Sequence, residues 1–163
     1  MSSIQIAASK GRGPRFNFLY LHHFTRDWFG LPRAEIISKK LLKENPKIVF
    51  LYNLLGLILS EQRKINEAIS CYSKGIKVDP NYAMNYNNLG QLYFKHKPNL
   101  FQKVEIFYKK SISLDKKIPE PHVNLGNLYS FLNNYDEAIK YHKKAIETNP
   151  KFQYPYHGIR LCT

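Results

Sequence analysis

Asn88 and Asn124 are the side chains of this 163-residue chain best placed to do chemistry, and the chemistry is hydrogen bonding rather than bond breaking. Each stands two residues before a glycine, in Asn88-Leu89-Gly90 and Asn124-Leu125-Gly126. An amide offers one acceptor and two donors, which suits the alternating C=O and N–H groups of an extended peptide without selecting its side chains. Asparagine is also a poor residue for a helix interior, costing roughly half a kcal/mol against alanine, so two at one register need an explanation. Asn53, Asn87, Gln91, Lys95 and Asn127 complete the candidate peptide-binding set. The competing explanation is composition, because a chain rich in Asn, Lys, Ile and Tyr places asparagines at many positions.

No comparable case exists for catalysis. The sequence holds no Gly-rich phosphate loop, no serine nucleophile elbow and no paired metal-ligand spacing. His22, His23 and Asp27 come closest to a constellation. Adjacent histidines point about 100° apart on a helix, and one carboxylate adds little, so packing of Phe18, Trp28 and Phe29 is the better employment of that segment. No catalytic residue, metal or cofactor is expected, and the chain reads as a non-enzyme.

The elements that must carry the asparagines show in a recurring motif. Tyr52-Asn53-Leu54-Leu55-Gly56, Tyr86-Asn87-Asn88-Leu89-Gly90 and His122-Val123-Asn124-Leu125-Gly126 place their glycines 34 and then 36 residues apart. The pairs Asn45-Pro46, Asp79-Pro80 and Asn149-Pro150 keep the same beat. A period in this range marks helix-turn-helix units that cannot bury an apolar face alone and so stack on their neighbours. Tyr52, Leu55, Gly56 and Leu59 form one apolar face of a first helix, and Gly56, Gly90 and Gly126 admit a close helix contact. Ala68, Ala138 and Ala145 serve that contact from the second helix, and each X-Pro pair, with Pro80 and Pro150 among them, ends its helix.

The pattern resembles the tetratricopeptide repeat. On that resemblance the fold class is all-α, a right-handed superhelix of antiparallel helix pairs, with full repeats at 49–82, 83–118 and 119–152. Residues 1–15 are expected to be a flexible basic tail, 16–48 a degenerate N-terminal repeat, and 153–163 the start of a further repeat cut short. Departures are modest: Leu59 and His142 take aromatic slots, Val104 and Ser111 replace alanines, and Lys116 replaces the closing proline. Two extra residues in the middle unit fall in His96-Lys97-Pro98-Asn99-Leu100, where a turn lengthens at little entropic cost.

The resemblance also implies a function. One stripe of the first helices, Phe50, Leu54, Leu57 and Glu61, then Met84, Asn88, Gln91 and Lys95, then Glu120, Asn124, Asn127 and Phe131, would line the concave groove. An asparagine row at this register is similar to the repeat arm of O-linked N-acetylglucosamine transferases and related bacterial repeat proteins. The clamp that other members use on a terminal carboxylate is disfavoured, because Met84, Glu120 and Val123 stand near its positions and Glu120 would repel the ligand. The first reading is a protein-protein interaction module, with a protein or peptide partner. The alternative is the substrate-recruiting arm of a longer transferase.

Charge supplies a third reading and limits it. The net charge is +13, with nine bases against three acids in residues 1–48 and fifteen against nine in residues 49–152. Lysines pair on the second helices as Lys74 and Lys77, Lys109 and Lys110, Lys143 and Lys144, and such runs are ordinarily a solvated face. Lysine outnumbers arginine 19 to 6, where base readout favours arginine. Non-specific polyanion binding is therefore the second alternative, with no specific nucleic-acid partner. Cys71 and Cys162 lack metal or redox spacing, and no apolar run reaches the roughly 18 residues of a membrane span. A cytoplasmic protein is the expectation.

Overall fold

A computed structural model of the chain describes residues 30–97 and 99–151, together with Pro155 and Gly158. The expected tail at 1–15, His22, His23, Asp27, Phe18, Trp28, Phe29 and Cys162 lie outside the described residues. The described residues form seven α-helices and no strand: α1 (Gly30–Glu44), α2 (Val49–Glu61), α3 (Ile65–Val78), α4 (Ala83–His96), α5 (Phe101–Leu114), α6 (Pro119–Phe131) and α7 (Tyr135–Thr148). The all-α expectation holds. The helices divide into two compact units, one ending at Asp79 and the other starting at Pro80.

In the first unit α2 packs against both α1 and α3. Leu51, Leu55, Ile58 and Leu59 are buried on α2, and Ala68 and Tyr72 on α3. The Tyr72 ring lies over Gly56, where an added Cβ would stand 2.5 Å from Cε1. Glu35 of α1 is 8 % exposed and accepts hydrogen bonds from Lys39 Nζ at 2.5 Å and from Lys64 Nζ at 2.7 Å. The two ammonium groups hold its carboxyl at about 2, well below the usual carboxylate value.

The second unit is two hairpins, α4 with α5 and α6 with α7, joined by packing of α6 on α5 and on α4. Val104 and Tyr108 of α5 meet Leu125 and Leu128 of α6 in one buried cluster, so the middle of this unit is shared between hairpins. Ser111, in an alanine slot, is fully buried and donates its hydroxyl to the Ala83 carbonyl at 2.9 Å, which satisfies the polar atom it brings. Tyr108 covers Gly90 as Tyr72 covers Gly56, and His142 takes the same position over Gly126. His142 is fully buried with neither ring nitrogen hydrogen-bonded among the described residues.

The X-Pro pairs stop helices as expected: α1, α3 and α7 end at Glu44, Val78 and Thr148, one residue before Asn45, Asp79 and Asn149. The α5 helix stops at Leu114 without a proline. Asp115 leaves the helix at φ −146°, and its carboxylate accepts the Lys117 N–H at 2.9 Å, as the Asn149 amide accepts the Lys151 N–H at 3.1 Å. An Asx turn thus does what Pro80 and Pro150 do elsewhere.

The turns inside two of the hairpins share another device. Arg63 and Asn133 adopt positive φ, 60° and 59°. At each turn the next N–H reaches five residues back, Lys64 to the Leu59 carbonyl at 2.9 Å and Asn134 to the Tyr129 carbonyl at 2.9 Å. This is a Schellman closure, which favours glycine at the left-handed residue. The α4–α5 hairpin closes differently, through Lys97 N–H to Tyr93 and Leu100 N–H to Lys97 carbonyls, at the place where the sequence has two extra residues.

These turns and buried rings can be tested by substitution. Arg63→Gly relieves the left-handed penalty and raises stability by about 0.5–1 kcal/mol in urea unfolding; unchanged or lower stability contradicts the assignment. Burial also lowers the pKa of His142 below the ordinary 6.5, and burial, followed by the Lys144 charge, lowers His122. A depressed folded-state value means these imidazoles contribute stability fully above the unfolded value, and that contribution is lost as pH falls from there through the folded value. Glu35 in the first unit loses its contribution only below 4.5, towards about 2. Melting temperature should therefore drop between pH 7.5 and pH 5, and His142→Phe should shrink that drop. An identical drop in His142→Phe would assign it to other groups.

Candidate functional site

The second unit places every member of the candidate set except Asn53 on its two first helices, α4 and α6. Residues spaced by three or four share a helix face, which puts Asn88, Gln91 and Lys95 on one stripe of α4 and Asn124, Asn127 and Phe131 on the matching stripe of α6. Nothing in this segment of α4 is acidic. Lys95 and Asn127 are exposed, while Gln91 and Asn124 are half-buried.

Asn87 and Asn88 are instead under the surface, 1 % and 5 % exposed. Their amides form a relay across the two helices: Asn124 Nδ2 donates to Asn87 Oδ1 at 2.8 Å, and Asn87 Nδ2 donates to Asn88 Oδ1 at 3.2 Å. Asn88 Nδ2 has no hydrogen-bond partner among the described residues. A buried amide held this way resists movement, because breaking it strands polar groups at about 1–3 kcal/mol each. The relay therefore ties α4 to α6 and fixes the amide of Asn124 from below. The side chains that reach the surface are Gln91, Lys95, Asn124 and Asn127. Asn53, the remaining member of the set, is buried in α2 of the first unit, 4 % exposed.

In the sequence Asn88 and Asn124 stand as equals. The structure separates them, and the residue that joins them is Asn87. Its signal is the doublet Asn87-Asn88, two adjacent helix-averse amides directly before the glycine motif. A second feature has no such signal. Glu105 of α5 accepts the Tyr129 hydroxyl of α6 at 2.7 Å and pairs with Lys109 at 2.6 Å. Those contacts lower the Glu105 pKa and push Lys109 up to about 12. Tyr129 stacks on Tyr141 of α7 at 5.5 Å, so this chain of contacts crosses three helices.

The alternative site residues are less suited to a ligand. Near the carboxylate-clamp positions, Val123 is buried, and Met84 and Glu120 are half-buried. The paired lysines Lys74, Lys77, Lys109, Lys110, Lys143 and Lys144 are exposed on second helices, as expected. Cys71 is half-buried, and burial raises its thiol pKa. No group of three potential metal ligands occurs among the described residues, and no described helix is long and apolar enough to cross a membrane.

Comparison with known proteins agrees with this helix arrangement. The chain is 29 % identical over 134 residues to Hsp70-Hsp90 organizing protein 3 of Arabidopsis thaliana, covering 79 % of this chain and 23 % of that one. It is 30 % identical over 100 residues to Protein O-mannosyl-transferase TMTC3 of Homo sapiens, covering 61 % of this chain and 11 % of that one. The chain thus spans less than a quarter of the length of these relatives. Among solved structures it resembles MamA, with a TM-score of 0.68 at 25 % identity over 90 % of this chain and 83 % of that one. It also resembles the first TPR of Spaghetti (RPAP3) bound to the HSP90 peptide SRMEEVD, with a TM-score of 0.65 at 24 % identity over 70 % and 89 %. Family models described as TPR repeat and Tetratricopeptide repeat match residues 56–97 and 119–152. The chain carries tetratricopeptide repeats in those two segments.

Proposed function

We propose that the protein is a protein-protein interaction module whose second unit binds an extended peptide segment of a partner along the first-helix faces of α4 and α6. The observation that carries this reading is the amide row: Gln91, Asn124 and Asn127 reach the surface, and Asn124 is braced by the buried Asn87 and Asn88. A main chain running past such a row finds donors and acceptors already oriented, so less ordering free energy is lost on binding. That the RPAP3 repeat holds a peptide supports the reading by likeness of fold. The partner is a protein or peptide, and the setting proposed is the cytoplasm. The lysines of the second helices are a solvated face in this reading: all are exposed, and two of them, Lys109 and Lys140, pair with Glu105 and Glu137. Dedicated nucleic-acid binding is not part of it.

A second reading is favoured by one observation, the 30 % identity with TMTC3. There the same groove would recruit substrate segments for a transferase domain carried on the same polypeptide. Both readings use the same groove residues.

Gln91 and Asn127 test the groove without disturbing the relay, because neither takes part in it. Gln91→Ala with Asn127→Ala should weaken peptide binding about thirtyfold, at two lost hydrogen bonds of about 1 kcal/mol each, with helicity and melting temperature retained. Unchanged affinity in a folded double variant would remove the amide row from the binding site.

A further inference from the structure

The amide stripes end in an aromatic corner. Phe94 of α4, Phe101 of α5 and Phe131 of α6 meet with centroid separations of 5.6 Å for Phe94 to Phe131, 5.2 Å for Phe101 to Phe131 and 6.3 Å for Phe94 to Phe101. Two of the rings, Phe94 and Phe101, are half-buried and packed against the Val104, Tyr108, Leu125 and Leu128 cluster. Phe131 is 60 % exposed, and Leu100 and Leu132 beside these rings in sequence are exposed as well. A single exposed aromatic needs no explanation, but here rings from three helices meet and one of them stays largely exposed.

Position and charge say what covers it. Phe131 is the last member of the stripe that holds Asn124 and Asn127, so a chain lying on the amide row reaches it next. At the matching end of the other stripe stands Lys95, the chain neighbour of Phe94. Lys95, His96 and Lys97 are all exposed and none has an ion pair among the described residues, and α4 carries no acid to neutralise them. An apolar ring beside uncompensated positive charge is complementary to a bulky apolar side chain flanked by a carboxylate.

We propose that the Phe94, Phe101 and Phe131 corner is the specificity pocket of the groove, taking a bulky apolar side chain of the bound peptide while Lys95 meets an acidic residue next to it. The proposal rests on the peptide-binding reading above and adds selectivity to it. The amide row grips main chain and is indifferent to sequence, whereas the corner decides which segment stays. Phe131 is 60 % exposed and stands outside the Val104, Tyr108, Leu125 and Leu128 cluster, so its truncation should leave that cluster intact.

The test is selection of the whole chain against a random library of end-blocked peptides about 12 residues long, long enough to span both stripes if extended. Enriched peptides are then measured on Phe131→Ala, Lys95→Ala and the Gln91→Ala, Asn127→Ala pair. The expected result is a bulky apolar residue next to Asp or Glu in the enriched set, with affinity lowered about tenfold by Phe131→Ala and a few-fold by Lys95→Ala at unchanged melting temperature. Peptides with no such preference, which bind Phe131→Ala normally but fail on Gln91→Ala with Asn127→Ala, overturn the pocket and leave the groove standing. Retained peptides indifferent to all four positions, or no retained peptide, overturn both. Self-association of the chain that Phe131→Ala abolishes overturns the pocket in favour of a second copy.

Discussion

Everything in these helix pairs depends on one close contact, an aromatic ring of the second helix laid on a glycine of the first. An added Cβ at Gly56 would meet Tyr72 at 2.5 Å, at Gly90 Tyr108 at 2.6 Å, and at Gly126 His142 at 2.7 Å, closer than any carbon can stand. Glycine in a helix interior costs roughly 1 kcal/mol against alanine, and the ring's burial offsets that cost. The contact sets the distance between paired helices, and that distance in turn determines which residues of the first helix look inward and which look away. In the third pair the ring is an imidazole. It keeps the shape of the contact but makes it sensitive to acid, because a proton on a fully buried ring finds no acceptor among the described residues.

Much of this architecture is legible in the amino-acid sequence. The glycine period, the buried alanines Ala68, Ala138 and Ala145, and the X-Pro stops all follow from local rules of close approach and helix termination. Less legible are features that depend on two segments meeting. Asn87 and Asn88 look alike in sequence to Asn124, yet side-chain direction puts the first two beneath the surface and leaves the third half open. The aromatic corner needs Phe94, Phe101 and Phe131 to converge from three helices, and only Phe131 lies on the stripe that the repeat pattern assigns to the groove. The left-handed turns at Arg63 and Asn133 carry no glycine to announce them. The Asx turn at Asp115 explains why the missing proline at Lys116 does no harm.

The proposed function rests on a division of labour among amides. A buried relay is costly to build and costly to break, so it persists only where it holds a geometry, and here the geometry it holds belongs to Asn124. Surface amides alone would be mobile and would lose ordering entropy on every encounter with a ligand. The carboxylate-clamp chemistry is poorly served by Met84, Glu120 and Val123, whereas a main-chain grip needs no charge at those places. In the proposed reading, the net charge of +13 would attract acidic partners at longer range, before contact is made.

We propose that a peptide binds on the first-helix face of α4 and α6. The most direct measurement is the NMR spectrum of the Asn and Gln side-chain amides, recorded while a peptide selected by the protein is added. The signals of Gln91, Asn124 and Asn127 should move, with smaller shifts at Asn87 and Asn88 relayed through their hydrogen bonds. Shifts confined to backbone amides of α5 and α7, with those side-chain signals unmoved, would place the ligand on the lysine-rich face and rule out the first-helix groove.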